Sequence, residues 1–153
     1  MATRDDHGLF AAILQDPEDD ALRLVWADWL EENGDAARAE FIRLQVSGSD
    51  PRREAELLWL HKEEWLAFLA AEFRLVEESE FRRGLLWKLV MPGAADEDLI
   101  RLQSVPELEC LDLRGSSVTD TGLEHLAALP NLRSLFVDRR EQRQPLLRQE
   151  PDA

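Results

Sequence analysis

Apolar residues fall at helical spacing along the first half of the chain. Residues 7–15 (HGLFAAILQ) are mostly apolar helix formers, with Asp5 and Asp6 placed to cap them. Asp16-Pro17 predicts a second helix start, an N-cap followed by proline where a missing N–H costs nothing. Glu18, Asp19 and Asp20 then fill a first turn that the helix dipole favours for acids. That helix is expected to reach about Glu32, where Asn33-Gly34 offers a left-handed stop. Asp35 caps a third helix to about Val46, Ser47-Gly48-Ser49 breaks it, and Asp50-Pro51 opens a fourth that runs to about Phe73. At 100° per residue Leu22, Val25, Trp26, Trp29 and Leu30 share one arc of the second helix, the predicted core face. The third helix is apolar on two sides, through Ala37, Phe41 and Leu44 and through Ala39, Ile42 and Val46, which predicts a place between neighbours. The fourth offers Leu58, Trp65, Leu66 and Leu69 on one side and Leu57, Leu60 and Phe68 on another.

From residue 84 the pattern changes to a repeat. A shift of 24 residues lays Leu99, Leu102, Val105, Pro106 and Leu108 on Leu123, Leu126, Leu129, Pro130 and Leu132, and Leu111 and Leu113 on Leu135 and Val137. Extended backwards, it lays Trp87, Leu89 and Asp96 on Leu111, Leu113 and Asp120. LxxLxL followed about nine residues later by LxxL is the leucine-rich repeat signature, in which each strand-plus-helix unit cannot bury its own apolar face and must stack on the next. Three strands are expected, near 85–90, 109–114 and 133–138, with helices near 95–104 and 120–128. The predicted fold class is therefore α/β: an N-terminal module of about four helices (1–80) capping a short leucine-rich-repeat solenoid with a three-strand parallel sheet (81–138). Residues 139–153 have no periodicity and read as a disordered tail in which Leu146-Leu147 could dock. A cap would shield the first repeat, with Trp59, Trp65 or Phe73 meeting Leu89 or Leu99.

Residues 9–45 resemble the bacterial repeat-companion domain, whose pattern is an apolar first helix, Asp-Pro, a segment like RLVYADWLEERGD and then RAEFIRLQ. The chain reads RLVWADWLEENGD from Arg23 to Asp35 and RAEFIRLQ from Arg38 to Gln45, departing at Trp26 and Asn33. The resemblance implies a helical module beside repeats, often leucine-rich ones, and brings no catalytic residues with it.

Charge narrows the choice of partner. The net charge is −14, and residues 1–50 alone carry twelve acids against four bases. Such a surface repels phosphate backbones, so direct nucleic-acid binding is not expected. A run of about 18 apolar residues is lacking, so neither is a membrane span. The opening MATRDDHGLF puts acids where a secretory signal would be basic, and the one cysteine, Cys110, has no internal partner for a disulfide; both point to the cytoplasm.

Candidate chemistry is sparse. Asp28 with Arg38, Glu40 and Arg43 could form a polar network across the second and third helices, read either as a carboxylate pair for acid–base work or as ion pairs that fix packing. His7, His61 and His125 are isolated, the acids around Asp16 lack the calcium-loop spacing, and the glycines fit no phosphate-cradling pattern, so no cofactor is expected. Alternation along the repeat strands instead sends Leu86, Lys88, Val90, Cys110, Asp112, Arg114, Ser134, Phe136 and Asp138 onto the open face of the sheet. A mixed apolar and charged patch of this kind suits protein recognition. The expected function is a non-catalytic protein-interaction module. The alternatives are an acidic inhibitor or DNA mimic acting through residues 16–35, and an enzyme using Asp28 and Glu40. The last strand, having no cap, also invites pairing with a second copy.

Overall fold

A computed structural model of the chain describes residues 8–67 and 75–138. The protein is α/β, with six α-helices and a four-stranded mixed sheet among those residues. No described helix is long and apolar enough to cross a membrane. The chain divides into two compact units, one comprising Met1–Trp65 and Phe81–Leu85, the other Leu66–Glu80 and Leu86–Ala153. Residues 81–85 thus group with the helices rather than with the strands that follow them.

The first unit holds α1 (Leu9–Gln15), α2 (Asp20–Glu32), α3 (Ala36–Ser47) and α4 (Pro51–Trp65). Asp19, not Asp16, caps α2, accepting from the N–H groups of Ala21 (2.9 Å) and Leu22 (3.3 Å). Asp16 instead ends α1. Asp35 and Asp50 cap as their spacing predicts, accepting from Arg38 N at 3.2 Å and Arg53 N at 3.1 Å. The expected end of the fourth helix near Phe73, its Phe68 and Leu69, and Asp5, Asp6 and His7 lie outside the described residues.

The buried face of α2 differs from the apolar arc. Arg23, Trp26, Ala27 and Leu30 are buried at i, i+3, i+4 and i+7, while Val25 is half exposed. An arc drawn through apolar residues alone misses Arg23, whose job is polar and internal. Its guanidinium donates to the carbonyls of Pro17 (2.7 Å) and Arg83 (3.0 Å). α3 lies between α2 and α4 as its two apolar sides require, burying Ala39, Phe41 and Ile42 completely. Phe41 packs at a tilt against Trp65 (centroids 4.7 Å apart) and meets Phe81 edge-on (5.7 Å).

What the helices hold is a hairpin turn. β1 (Glu78–Arg82) and β2 (Leu85–Val90) are joined by Arg83-Gly84 alone, both residues at positive φ (48° and 84°), the geometry of a type I′ connection between antiparallel strands. Gln45 matches the turn with both ends of its amide: Nε2 donates to Phe81 O at 3.0 Å, and Oε1 accepts from Gly84 N at 2.6 Å. Arg38 donates to Gly84 O from Nε (3.2 Å) and Nη2 (2.9 Å), its guanidinium lying 5.0–5.9 Å from the ring centres of Trp65, Phe81 and Trp26. A Cβ on Gly84 would overlap Ile42 Cγ1, so glycine is required there for space as well as for φ.

In the second unit the sheet order is β1-β2-β3-β4, with β3 (Cys110–Asp112) and β4 (Ser134–Phe136). β2, β3 and β4 pair in parallel. Each parallel step crosses over through a short helix continued by a 3-10 turn: α5 (Asp96–Ile100) with Arg101–Ser104, and α6 (Asp120–Leu123) with Glu124–Ala128. The sheet has four strands rather than three, because the segment before residue 84 supplies β1. Partners are 24 residues apart between β3 and β4, but 22 apart between β2 and β3, where Leu89 faces Leu111. The loop before α6 is two residues longer than the loop before α5, and an even slip leaves every side chain on its original face. Trp87 consequently falls outside the fully buried row, which comprises Leu89, Met91, Leu111 and Leu113. Leu135, also expected in the core, is 39% exposed on β4, the outermost strand among the described residues.

Candidate functional site

The sheet face carrying Lys88, Val90, Cys110, Asp112, Ser134 and Phe136 is assembled by the parallel register, which sets Lys88, Cys110 and Ser134 in one row and Val90, Asp112 and Phe136 in the next. Arg114 and Asp138 follow at the ends of β3 and β4. Of the nine residues expected to be open, Leu86, Cys110 and Asp112 are buried. Asp112 is covered by the Arg114 guanidinium bound to both its oxygens, and alternation along a strand assigns a face without fixing its exposure. Lys88, Val90, Ser134 and Asp138 are partly buried, and Arg114 and Phe136 are exposed.

Asp112 organises the face. Its carboxylate receives Arg114 in a two-pronged contact, Nη2 to Oδ2 at 2.6 Å and Nε to Oδ1 at 3.0 Å, and also accepts from the Arg114 N–H at 3.1 Å. The Arg114 hydrogen bonds hold its pKa below the ordinary carboxylate range against the opposing effect of burial, with a smaller contribution from the charge of Lys88. Arg114 is shifted upward by the same contact. So anchored, its guanidinium sits 5.2 Å from the Phe136 ring centre, while its side chain remains 62% exposed. Asp138 closes the margin by accepting from Gly115 N at 2.6 Å. The result is a guanidinium held over an exposed aromatic ring and still open to solvent, so that it can meet an acceptor beside an apolar surface.

The helical carboxylates are arranged differently from an acid–base pair. Asp28 receives Arg43 Nη2 at 2.6 Å, and Glu31 receives the same nitrogen at 3.2 Å. These bonds, Glu31's foremost, raise the Arg43 pKa. Glu40 instead binds Arg53 of α4 at 2.7 Å, and that bond lowers its pKa. Arg38 donates to the hairpin turn, at Gly84 O. Other acids of the 16–35 stretch are likewise engaged, Asp19 and Asp35 as caps and Asp20 in an ion pair with Arg83 at 3.0 Å. Beside the turn lies an open cleft of about 400 Å³ lined by Glu18, Gln45, Glu54, Phe81, Arg82 and Arg83. Gln45 Nε2 reaches Glu54 Oε1 there at 3.0 Å. Among the described residues no three His, Cys, Asp or Glu side chains group as metal ligands.

Sequence reasoning overlooked the turn clamp of Arg23, Arg38 and Gln45. The dipeptide Arg83-Gly84 between two strand-like runs was the available signal. No family model matches the chain, and comparison with curated proteins and with solved structures finds no match either.

Proposed function

We propose that the chain is a protein-interaction module, a helical repeat-companion-like unit joined to a short leucine-rich-repeat solenoid, which binds another protein through the outward face of its parallel sheet. The observation that carries this reading is the Asp112–Arg114–Phe136 arrangement. An arginine held by a two-pronged ion pair over an exposed ring is already oriented, so a partner need not supply that ordering on binding. Arginine and aromatic side chains are also the types that concentrate energy at protein interfaces. The surrounding Val90 and Lys88 extend the patch with apolar and charged area.

Quantitative affinity capture with the full chain tests it, comparing the wild type with Lys88→Ser/Phe136→Ser, substitutions that leave the Asp112–Arg114 pair intact. Partners retained by the wild type are expected to fall at least tenfold with the variant at equal melting temperature. An identical set captured by both would remove this face from consideration.

A second reading rests on β4, the last strand of the sheet among the described residues, where Leu135 and Phe136 are 39% and 45% exposed on opposite faces. A parallel strand that pairs on one side only among the described residues, with apolar side chains on both faces, supports strand pairing with a second copy. Sedimentation of the wild type and of Leu135→Lys distinguishes the cases: a dimer lost in the variant supports pairing, and a monomer in both removes it.

A further inference from the structure

The turn between α2 and α3 plays no part in the sheet-face reading. The chain holds two asparagines, Asn33 and Asn131, and Asn33 is the one followed by glycine. Asn33 and Gly34 are both exposed. A backbone nitrogen can attack the side-chain carbonyl carbon of the asparagine before it, and glycine, having no side chain, leaves that nitrogen the least crowded. Gly34 sits at a positive φ of 93°, with nothing within 4 Å of where a Cβ would stand.

The folded turn holds the reacting groups apart. Asn33 ends α2 with ψ at 16°, which turns its Cβ away from Gly34 N. Its side-chain Nδ2 donates back to Trp29 O at 2.8 Å, so Cγ is held toward the last turn of the helix. Gly34 N donates to Glu31 O (3.3 Å) and Asp35 N to Leu30 O (2.8 Å), the paired bonds that close a helix on a left-handed glycine. Both reacting groups are thus committed elsewhere, and attack on Cγ requires the turn to open first.

We infer that Asn33 is a covalent modification site, deamidated by attack of its own chain's Gly34 N at a rate that opening of the α2–α3 turn sets. The Gly34 N–Cγ bond forms as Cγ–Nδ2 breaks, and Nδ2 leaves as ammonia, taking the Gly34 amide proton. Water then opens the cyclic imide at one of its two carbonyls. Cleavage of N–Cγ gives aspartate, and cleavage at the backbone carbon of residue 33 gives isoaspartate. Both products work against the turn. The donor to Trp29 O is replaced by a carboxylate, at a helix C-terminus that disfavours anions and whose last turn carries no base. Glu32 and Asp35 add like charge on either side. Isoaspartate also lengthens the backbone inside the loop closed by the Leu30–Asp35 bond, just before the residue that caps α3.

The test incubates the full chain at mildly alkaline pH, folded and in denaturing urea, and follows the Asn33 and Asn131 peptides by digestion and mass spectrometry. In urea Asn33 should convert to two products of equal mass, at least tenfold faster than Asn131, and Gly34→Ala should slow that conversion at least tenfold. In the folded chain conversion should be at least tenfold slower than in urea. Asp35→Ala, which removes the cap of α3, should speed the folded reaction several-fold. Asn33→Asp, which stands in for one product, should lower the melting midpoint by a few degrees. The inference is overturned if Asn33 keeps its amide in urea, or if it converts as fast in the folded chain as in the unfolded one. It is also overturned if Asp35→Ala leaves the folded rate unchanged, or if Asn33→Asp melts with the wild type.

Discussion

The two units use polar side chains in opposite directions. In the helical unit the conspicuous polar residues turn inward onto backbone: Arg23, Arg38 and Gln45 all end on atoms of the 81–85 turn or, for Arg23, also on Pro17 O. In the sheet unit the backbone is paired by the parallel ladder itself, and the core rows are apolar, so Arg114 and Lys88 are left to face outward. One unit needs its polar residues to be a fold, whereas the other has them to spare. That contrast is why the motif-rich helices are a poor place to look for chemistry and the plainer sheet a better one.

The contrast breaks hardest at Gly84. Gly84→Ala adds a positive-φ penalty and a clash with Ile42, and should cost about 4 kcal/mol of stability, read by denaturant unfolding. A variant within 1 kcal/mol of wild type, on the order of experimental scatter, would mean the turn is not clamped. In the sheet unit the comparable loss is apolar: Leu111→Ala, at 0% exposure in the central ladder, should cost about 3 kcal/mol in the same assay. Gln45→Ala comes next at about 2 kcal/mol, because Gly84 N and Phe81 O would lose their common partner.

The smallest effect separates structural from surface charge. The Asp112 carboxyl titrates below its unfolded value near 3.9. Its contribution is therefore present above that pH and lost as pH falls through the lower folded value. Because Arg114 is largely exposed, Asp112→Asn should cost no more than about 1 kcal/mol at neutral pH. It should flatten the acid limb of the stability profile below about pH 4. An acid limb unchanged in the variant would show that the pair contributes nothing.

Much of this was legible in the residues. The caps at Asp35 and Asp50, the 85–90 strand and the crossovers near 95–104 and 120–128 follow from capping chemistry and from the leucine spacing. Other features were hidden for definite reasons. Asp16-Pro17 and Asp19 are both sound caps, and only the chain's path chooses between them. The 24-residue shift is true of β3 and β4 but slips by two at β2, since leucine spacing does not count loop residues. Arg23 looks like a surface cation because its acceptor, Arg83 O, is sixty residues away. Exposure on the sheet face was overestimated at Leu86, Cys110 and Asp112 because alternation says which face a side chain joins, not whether other side chains cover it there. Trp59, expected among the shielding aromatics, is open to solvent, because α4 directs Leu57 and Trp65 inward instead.

Thermal unfolding midpoints of two variants test the contrast most directly. Gln45→Ala removes an inward polar side chain, and Lys88→Ser/Phe136→Ser removes two outward ones. At about 2–4 °C per kcal/mol for a chain of this size, Gln45→Ala should lower the midpoint by roughly 4–8 °C, while the double variant should stay within about 2 °C of wild type. The reverse order, or equal losses, would contradict the division between residues that hold the fold and residues free to bind.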